Sequence, residues 1–111
     1  SLKVPDYEED DMKTYTGDRT IDGVKVLVDG RPLPDRSDIQ RFSQMGFEWG
    51  YEGAEPRQLA FALLMDHCGK ADFARSYCEQ FMQSVISNFD NEWLVTSKDI
   101  DEYLAIIGVG A

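Results

Sequence analysis

The sequence predicts an α+β fold in which about three helices pack on one face of a small antiparallel sheet. Strand-like segments with tight-turn signals come first along the chain, two long helical patterns follow, and one more strand and helix come last. This order is typical of helices segregated to one side of an antiparallel sheet. The stretch Leu59–Met65 is apolar on every side of a helix, so other elements must cover it all round.

The sheet is predicted to begin with a hairpin. Valines recur at every second position between two Asp-Gly pairs, Asp22-Gly23 and Asp29-Gly30. An Asp-Gly pair supplies the positive φ angles of tight hairpin turns. We therefore expect strands at Lys13–Gly17 and Val24–Val28. The Arg-Pro-Leu-Pro segment that follows is restricted to a short edge strand, because proline cannot donate to a ladder.

Two segments lead from this hairpin to the central helix. Ser37–Gln44 is polar, with Ile39 and Phe42 facing inward, and is expected to be a loop or a single helical turn. Aromatic residues then occupy alternate positions of Phe47–Tyr51. That period indicates a strand or extended segment with one face inward.

The two central helices are predicted from their apolar pattern and their end signals. Pro56 suits a first-turn position, where no amide hydrogen bond is lost, and Gly69 suits the C-cap. Apolar residues recur at three- and four-residue spacing from Phe73 to Phe89, which predicts a second helix. The short link makes the two helices antiparallel neighbours.

The last two elements are a strand and a helix. Glu92–Thr96 has the composition of a strand. Thr96 and Asp99 match a capping box, which opens a helix predicted over Lys98–Ile107.

We expect an acidic flexible arm at residues 1–13 and a single α+β domain at residues 14–111. A chain of 111 residues can hold one modest core. The arm carries five carboxylates, Asp6 and Glu8–Asp11, among few apolar residues, and is therefore expected to be solvated. The alternative is an acidic peptide that orders on a basic partner.

The net charge is the unusual property of the composition. Twenty-one acidic residues against eleven basic ones give −10 and a pI near 4.3. The excess is distributed, with −4 over residues 1–38 and −6 over residues 39–111. Nucleic-acid binders normally carry the opposite sign, so direct binding to DNA or RNA is disfavoured. Binding to an anionic membrane surface is disfavoured for the same reason.

The expected location is the cytoplasm. No apolar run approaches the ~18 residues that cross a bilayer, and the N-terminus shows no signal-peptide pattern. Cys68 and Cys78 are expected to be reduced thiols in that compartment.

No metal, cofactor or catalytic activity is expected. His67 and the two cysteines offer three soft ligands, but their spacing matches no zinc motif. The chain has this one histidine and no glycine-rich phosphate-binding motif. Since no set of residues fills the roles of an active site, an enzyme is the least favoured function.

One string of residues carries a family resemblance. Phe47–Gly53 reads Phe-Glu-Trp-Gly-Tyr-Glu-Gly and is followed by Pro56 and by Gln58-Leu59-Ala60. The string resembles the signature of an uncharacterised family of small proteins scattered through phages, plasmids and archaeal or bacterial genomes. The likeness spans about Tyr15 to Ile107.

The resemblance implies an accessory protein of mobile elements, with no assigned activity and no catalytic residue to carry over. Glu55 departs from the pattern, since a glycine is expected before Pro56. The motif is interpreted as a folding signature, with Trp49 and Tyr51 on a core face and nearby glycines shaping the backbone.

Charge and context together suggest two functions. The favoured one is a small acidic inhibitor of a host nucleic-acid-handling defence complex, of the anti-CRISPR or anti-restriction type. Its carboxylates would take the place of phosphates on the basic nucleic-acid-binding surface of that partner. The alternative is a non-catalytic protein-binding adaptor. The candidate contact residues are the clustered acids Glu48, Glu52, Glu55, Asp90, Glu92, Asp99, Asp101 and Glu102.

Overall fold

The computed structural model describes residues 12–44 and 46–106. Within them the α+β class is confirmed, with four strands and three α-helices. The strands are β1 Thr14–Thr20, β2 Gly23–Val28, β3 Arg31–Pro32 and β4 Glu92–Thr96; the helices are α1 Ala54–Cys68, α2 Ala71–Ser84 and α3 Ser97–Ile106. The five carboxylates of the predicted arm lie outside the described residues.

The four strands form one antiparallel sheet in the order β3-β2-β1-β4. Thr16, in the middle of β1, lies opposite Leu27 of β2 on one side and Leu94 of β4 on the other. The two-residue β3 is an edge strand, as expected for a strand that contains Pro32.

The two hairpin turns differ. Asp29 and Gly30 have φ angles of 50° and 83°, as expected for a type I′ turn. At the first turn only Gly23 has a positive φ, of 120°, and the two connecting residues are Ile21 and Asp22. The first turn is therefore not the predicted Asp-Gly type. Glycine instead follows the turn, and β1 runs on to Thr20.

Helix α1 is the centre of the core, as predicted. All six residues of Leu59–Leu64 are fully buried, and Pro56 lies in the first turn. Gly69 ends the helix with a φ of 72°, and its amide donates to the Met65 carbonyl at 2.8 Å. None of the helices in the described part of the chain combines the length and apolar character needed to cross a membrane.

Helix α2 is shorter than predicted. It ends at Ser84, and a 3₁₀ turn over Ile86–Asn88 follows. Ser87 and Asn88 donate side-chain hydrogen bonds back to the carbonyls of Gln83 and Ser84, at 2.6 and 3.0 Å. Such bonds compete with the backbone ladder of a helix. The apolar stripe nevertheless continues inward, since Ile86 is fully buried.

The capping box at the start of α3 is confirmed. The Asp99 amide donates to Oγ1 of Thr96 at 3.1 Å, and the Thr96 amide donates to Oδ2 of Asp99 at 3.0 Å. Ile100 and Leu104 are buried against the core. The predicted last residue, Ile107, lies outside the described residues.

The Phe47–Tyr51 segment has no regular secondary structure and pairs with no strand in the described part of the chain. Trp49 is 1% exposed, whereas Tyr51 is 43% exposed. Gly50, with a φ of 84° and an amide bonded to the Ile86 carbonyl at 3.0 Å, turns the chain between them. The expectation that Tyr51 lies on a core face is therefore wrong, because this turn breaks the strand period.

Candidate functional site

The two faces of the sheet have different roles. One face carries buried side chains of the core, among them Tyr15, Val26, Trp93 and Val95. The opposite face, here called the outer face, is formed by the intervening positions. Its side chains include those of Thr16, Asp18, Lys25, Leu27, Glu92 and Leu94, with Thr14 and Thr96 at one end. Thr16 and Leu27 are partly buried on this face, and Asp18, Lys25, Glu92 and Leu94 are exposed.

Two carboxylates oppose each other directly on the outer face. Asp18 of β1 is the register partner of Glu92 of β4, and Lys25 lies opposite Asp18 on β2. Asp18 and Glu92 are both exposed, and neither makes a hydrogen bond or ion pair within the described residues. Like charges directly opposite in a sheet are destabilising. Together with exposed Asp90, which is also unbonded in the described region, they form what we call the acidic corner.

The acidic corner lies beside Arg19, whose guanidinium is already hydrogen-bonded to other residues of the protein. Arg19 donates to Asn91 Oδ1 at 2.6 Å, to Glu48 Oε1 at 2.6 Å and to the Trp49 carbonyl at 3.0 Å. Its guanidinium carbon is 5.1 Å from the centroid of the Trp49 ring. These contacts tie the end of β1 to Phe47–Gly53, here called the signature segment, and to the start of β4. Arg19 therefore holds the site together and does not neutralise the acidic corner.

Two shallow depressions meet at Glu92. One, of about 660 Å³, lies between the signature segment and the start of β4, and its lining includes Arg19, Trp49, Tyr51, Phe89 and Asp90. The other, of about 550 Å³, lies on the outer face between Asp18, Leu27 and Leu94. The acids thus border two aromatic or apolar surfaces that a partner could contact.

Acidic side chains lie close to the hydroxyl of Tyr51 at the first depression. The Tyr51 hydroxyl donates to Glu55 Oε1 at 2.9 Å. Desolvation, this hydrogen bond and the charges of Glu55 and Glu48 raise the pKa of Tyr51 to about 12. Arg19, which also lines the depression, acts in the opposite sense and lowers this pKa.

Four of the eight candidate acids form hydrogen bonds or ion pairs with other residues of the protein. Glu48 binds Arg19 and also accepts the Trp49 amide at 3.1 Å. Glu55 accepts from Ser43 and Tyr51, Asp99 caps α3, and Asp101 lies 2.7 Å from Nε2 of His67. Such carboxylates are committed to internal partners and are poor candidates for contacts with another molecule.

The other four candidates are exposed and unbonded within the described residues: Glu52, Asp90, Glu92 and Glu102. They do not form one cluster. Asp90 and Glu92 lie at the start of β4, whereas Glu102 lies in α3 beyond its end. A five-residue strand spans roughly 17 Å, so the predicted grouping of residues 90–102 is divided in two.

Asp18 was not among the candidates. We expected β1 to end at Gly17, which left Asp18 outside the sheet. The signal that could have found it is the strand period, since Asp18 is two positions beyond Thr16 on the same face.

The thiols and the histidine do not assemble into a reactive group. Burial, followed by the charge of Asp101, raises the pKa of Cys68 to about 11. Burial also raises the pKa of Cys78, so both thiols are protonated at neutral pH and weakly nucleophilic. In the described part of the chain, no three His, Cys, Asp or Glu residues are placed to hold a metal ion.

Comparison with known proteins gives one match. The model of a family of unknown function, DUF6166, matches residues 15–106. No curated protein and no solved structure matches the chain. The matched range runs from the start of β1 to the end of α3, and so includes every element that forms the acidic corner.

Proposed function

The chain belongs to the family of unknown function DUF6166, and we propose that it is a non-catalytic inhibitor of a host defence complex that handles nucleic acid. In this proposal the acidic corner occupies a basic surface where the partner, of the CRISPR or restriction type, binds DNA or RNA in the cytoplasm. The observation that carries the proposal is the opposition of Asp18 and Glu92 on an open sheet face.

The energetics of that pair favour a cationic partner. Two adjacent carboxylates repel each other in the free protein, and an Arg or Lys side chain placed between them would remove the repulsion. Both acids lie on paired strands, so little conformational entropy is lost when they are bound. The net charge of −10 adds long-range attraction to a basic surface.

The test is competition with nucleic acid. A partner captured from host extract and purified is titrated with its labelled nucleic acid in the presence of the chain, at low and high salt. We expect mutually exclusive binding and an affinity for the chain that falls steeply as salt rises. Simultaneous binding of nucleic acid and chain, at an affinity independent of salt, would contradict the proposal.

A matched pair of double variants assigns the surface. Asp18→Asn with Glu92→Gln removes two charges from the acidic corner. Glu79→Gln with Glu102→Gln removes two exposed charges from α2 and α3, neither of which is bonded within the described residues. The first should weaken partner binding by more than about tenfold, as expected for charges at a contact, and the second by much less. Equal weakening would mean that net charge alone is recognised.

The adaptor function remains the second candidate, and the exposure of Tyr51 favours it. Tyr51 is 43% exposed at the rim of a depression that Trp49 and Phe89 also line. Tyrosines in such positions often dominate protein interfaces. An adaptor should lose binding on Tyr51→Ala, show modest salt dependence and bind its partner together with nucleic acid.

A further inference from the structure

The two edges of the sheet are protected very differently. At one edge β3 has only two residues, Arg31 and Pro32, and a second proline, Pro34, follows soon after. Proline and short length are common means of preventing a sheet edge from pairing with another chain. At the other edge β4 has five residues, with no proline and no lysine. Of the two sheet edges in the described residues, the β4 edge is therefore the one suited to accept another strand.

The backbone groups of β4 that could accept a strand can be identified from the register. Hydrogen bonds join Asn91 to Arg19 and Ser97 to Lys13 across the β1–β4 pair, at 3.2 and 3.0 Å. Because bonding alternates along an antiparallel pair, the amides and carbonyls of residues 93 and 95 point toward β1. Those of Glu92 and Leu94 point outward. None of these outward groups has a partner in the described part of the chain.

From these features we propose that two copies of this chain associate by antiparallel pairing of their β4 strands around Leu94. The Leu94 side chain is 61% exposed on the outer face, and pairing would bring it against its own copy. The outward amide and carbonyl of each Leu94 would exchange two hydrogen bonds with those of the other. The two sheets would then join into one of eight strands.

The charge pattern of β4 suits a second copy. When Leu94 lies opposite itself, two-fold symmetry places Glu92 opposite the neutral Thr96 of the other copy. The strand thus avoids opposing like charges across the new pair. The amide of Thr96 is already bonded to Asp99, so pairing is confined to the middle of the strand. An interface this short is expected to give a weak, concentration-dependent dimer.

Salt should act on this dimer in the opposite sense to its effect on partner binding. Two bodies of charge −10 repel each other, and added salt screens that repulsion. Dimerisation should therefore strengthen with salt, whereas binding to a basic surface should weaken. The two proposals can consequently fail independently.

The test is the mass in solution, measured by sedimentation equilibrium on the full chain over about a hundredfold range of concentration, as mass action requires. We expect the mass to rise from 12.6 kDa toward twice that value, at lower concentration in high salt. Leu94→Lys should abolish the rise, because it places two lysines opposite each other. Leu27→Lys alters the same outer face two strands from the edge, and should leave the rise intact.

Amide exchange of the wild-type chain gives a second measure that does not depend on a variant folding. The Leu94 amide should become protected only at concentrations where the dimer forms. Protection that is independent of concentration would show that a segment of the same chain covers β4, and would overturn the proposal. A constant mass of 12.6 kDa, or equal loss of the dimer in the Leu27→Lys variant, would overturn it as well.

Discussion

The hydroxyl of Tyr15 donates a 2.7 Å hydrogen bond to Oδ2 of Asp66 and thereby joins β1 to the last turns of α1. Tyr15 is fully buried. The same carboxylate oxygen accepts a 3.1 Å bond from Nζ of Lys13, at the entrance to β1. One acid at the end of the apolar helix therefore fixes the position of the strand that lies between β2 and β4.

Tyr15→Phe tests this connection. The change removes only the hydroxyl, and it leaves Asp66 with Lys13 as its remaining side-chain partner. We expect a loss of about 1–3 kcal/mol in the free energy of unfolding, the usual range for a hydrogen bond to a charged group. Urea denaturation measures it. Tyr77→Phe is the control, since the partly buried Tyr77 has no hydrogen bond in the described region, and it should change stability by less than about 0.5 kcal/mol.

The protein should lose stability in alkaline solution. Burial, the hydrogen bond to Asp66 and the charge of Asp66 raise the pKa of Tyr15 above its usual value of 10.0. Burial raises the pKa of Cys68 from 9.0 to about 11. In both cases the unfolded chain releases its proton at a lower pH than the folded chain does. The stabilisation from Cys68 is therefore complete below about pH 9 and is lost as the pH rises through about 11. The stabilisation from Tyr15 begins to fall only above about pH 10, its usual pKa, and continues to fall beyond pH 11.

Urea midpoints measured at intervals between about pH 8 and 11 test this linkage. The wild-type midpoint should fall as the pH rises. The fall should be smaller in Cys68→Ala, which removes one of the shifted groups. A midpoint that stays constant or rises over this interval would show that neither group titrates as the structure indicates.

Elements with local signals could be predicted from the sequence. The capping box, the turn at Asp29-Gly30 and the all-round burial of Leu59–Leu64 each depend on residues close together in the chain, and each is confirmed. The end of α2 could not be predicted from its apolar stripe. The stripe continues through the 3₁₀ turn, and side-chain bonds from Ser87 and Asn88 end the regular helix.

The candidate site was less predictable because it depends on strand register. Asp18 and Glu92 are 74 positions apart, and only the pairing of β1 with β4 brings them together. Conversely, acids that lie close in the sequence can have unrelated roles. Asp99 and Asp101 bond to the cap and to His67, while Glu102 is exposed. Counting acids along the chain cannot distinguish these roles.

Gly17→Ala should disturb the tryptophan pair beneath the sheet. A Cβ at Gly17 would clash with Nε1 of Trp93, so the indole must move. Trp93 packs edge-on against Trp49, with ring centroids 5.7 Å apart. We expect the free energy of unfolding to fall by about 1–3 kcal/mol, as for other overpacked cores. Tryptophan fluorescence should shift as well. In a double-mutant cycle, Gly17→Ala should lower the free energy of unfolding by less in a Trp93→Phe background than in the wild type. If the effects of the two substitutions are additive, the added methyl group does not clash with Trp93.

The last prediction separates structural acids from those available for contact on α3. Asp99→Ala removes the carboxylate that accepts the Thr96 amide and complements the helix dipole in the first turn. It should cost about 0.5–2 kcal/mol of unfolding free energy. Glu102→Ala removes one negative charge from the same helix at an exposed position with no bond in the described residues, and should cost less than about 0.5 kcal/mol.

Both α3 variants should also be measured against the partner of the proposed inhibitor. Each removes one unit of negative charge, so a purely long-range effect would weaken binding equally. If the acidic corner makes the contact, both should bind nearly as well as the wild type once the loss of folded protein in Asp99→Ala is taken into account. A large loss of affinity in Glu102→Ala, with stability unchanged, would instead place the contact surface on α3.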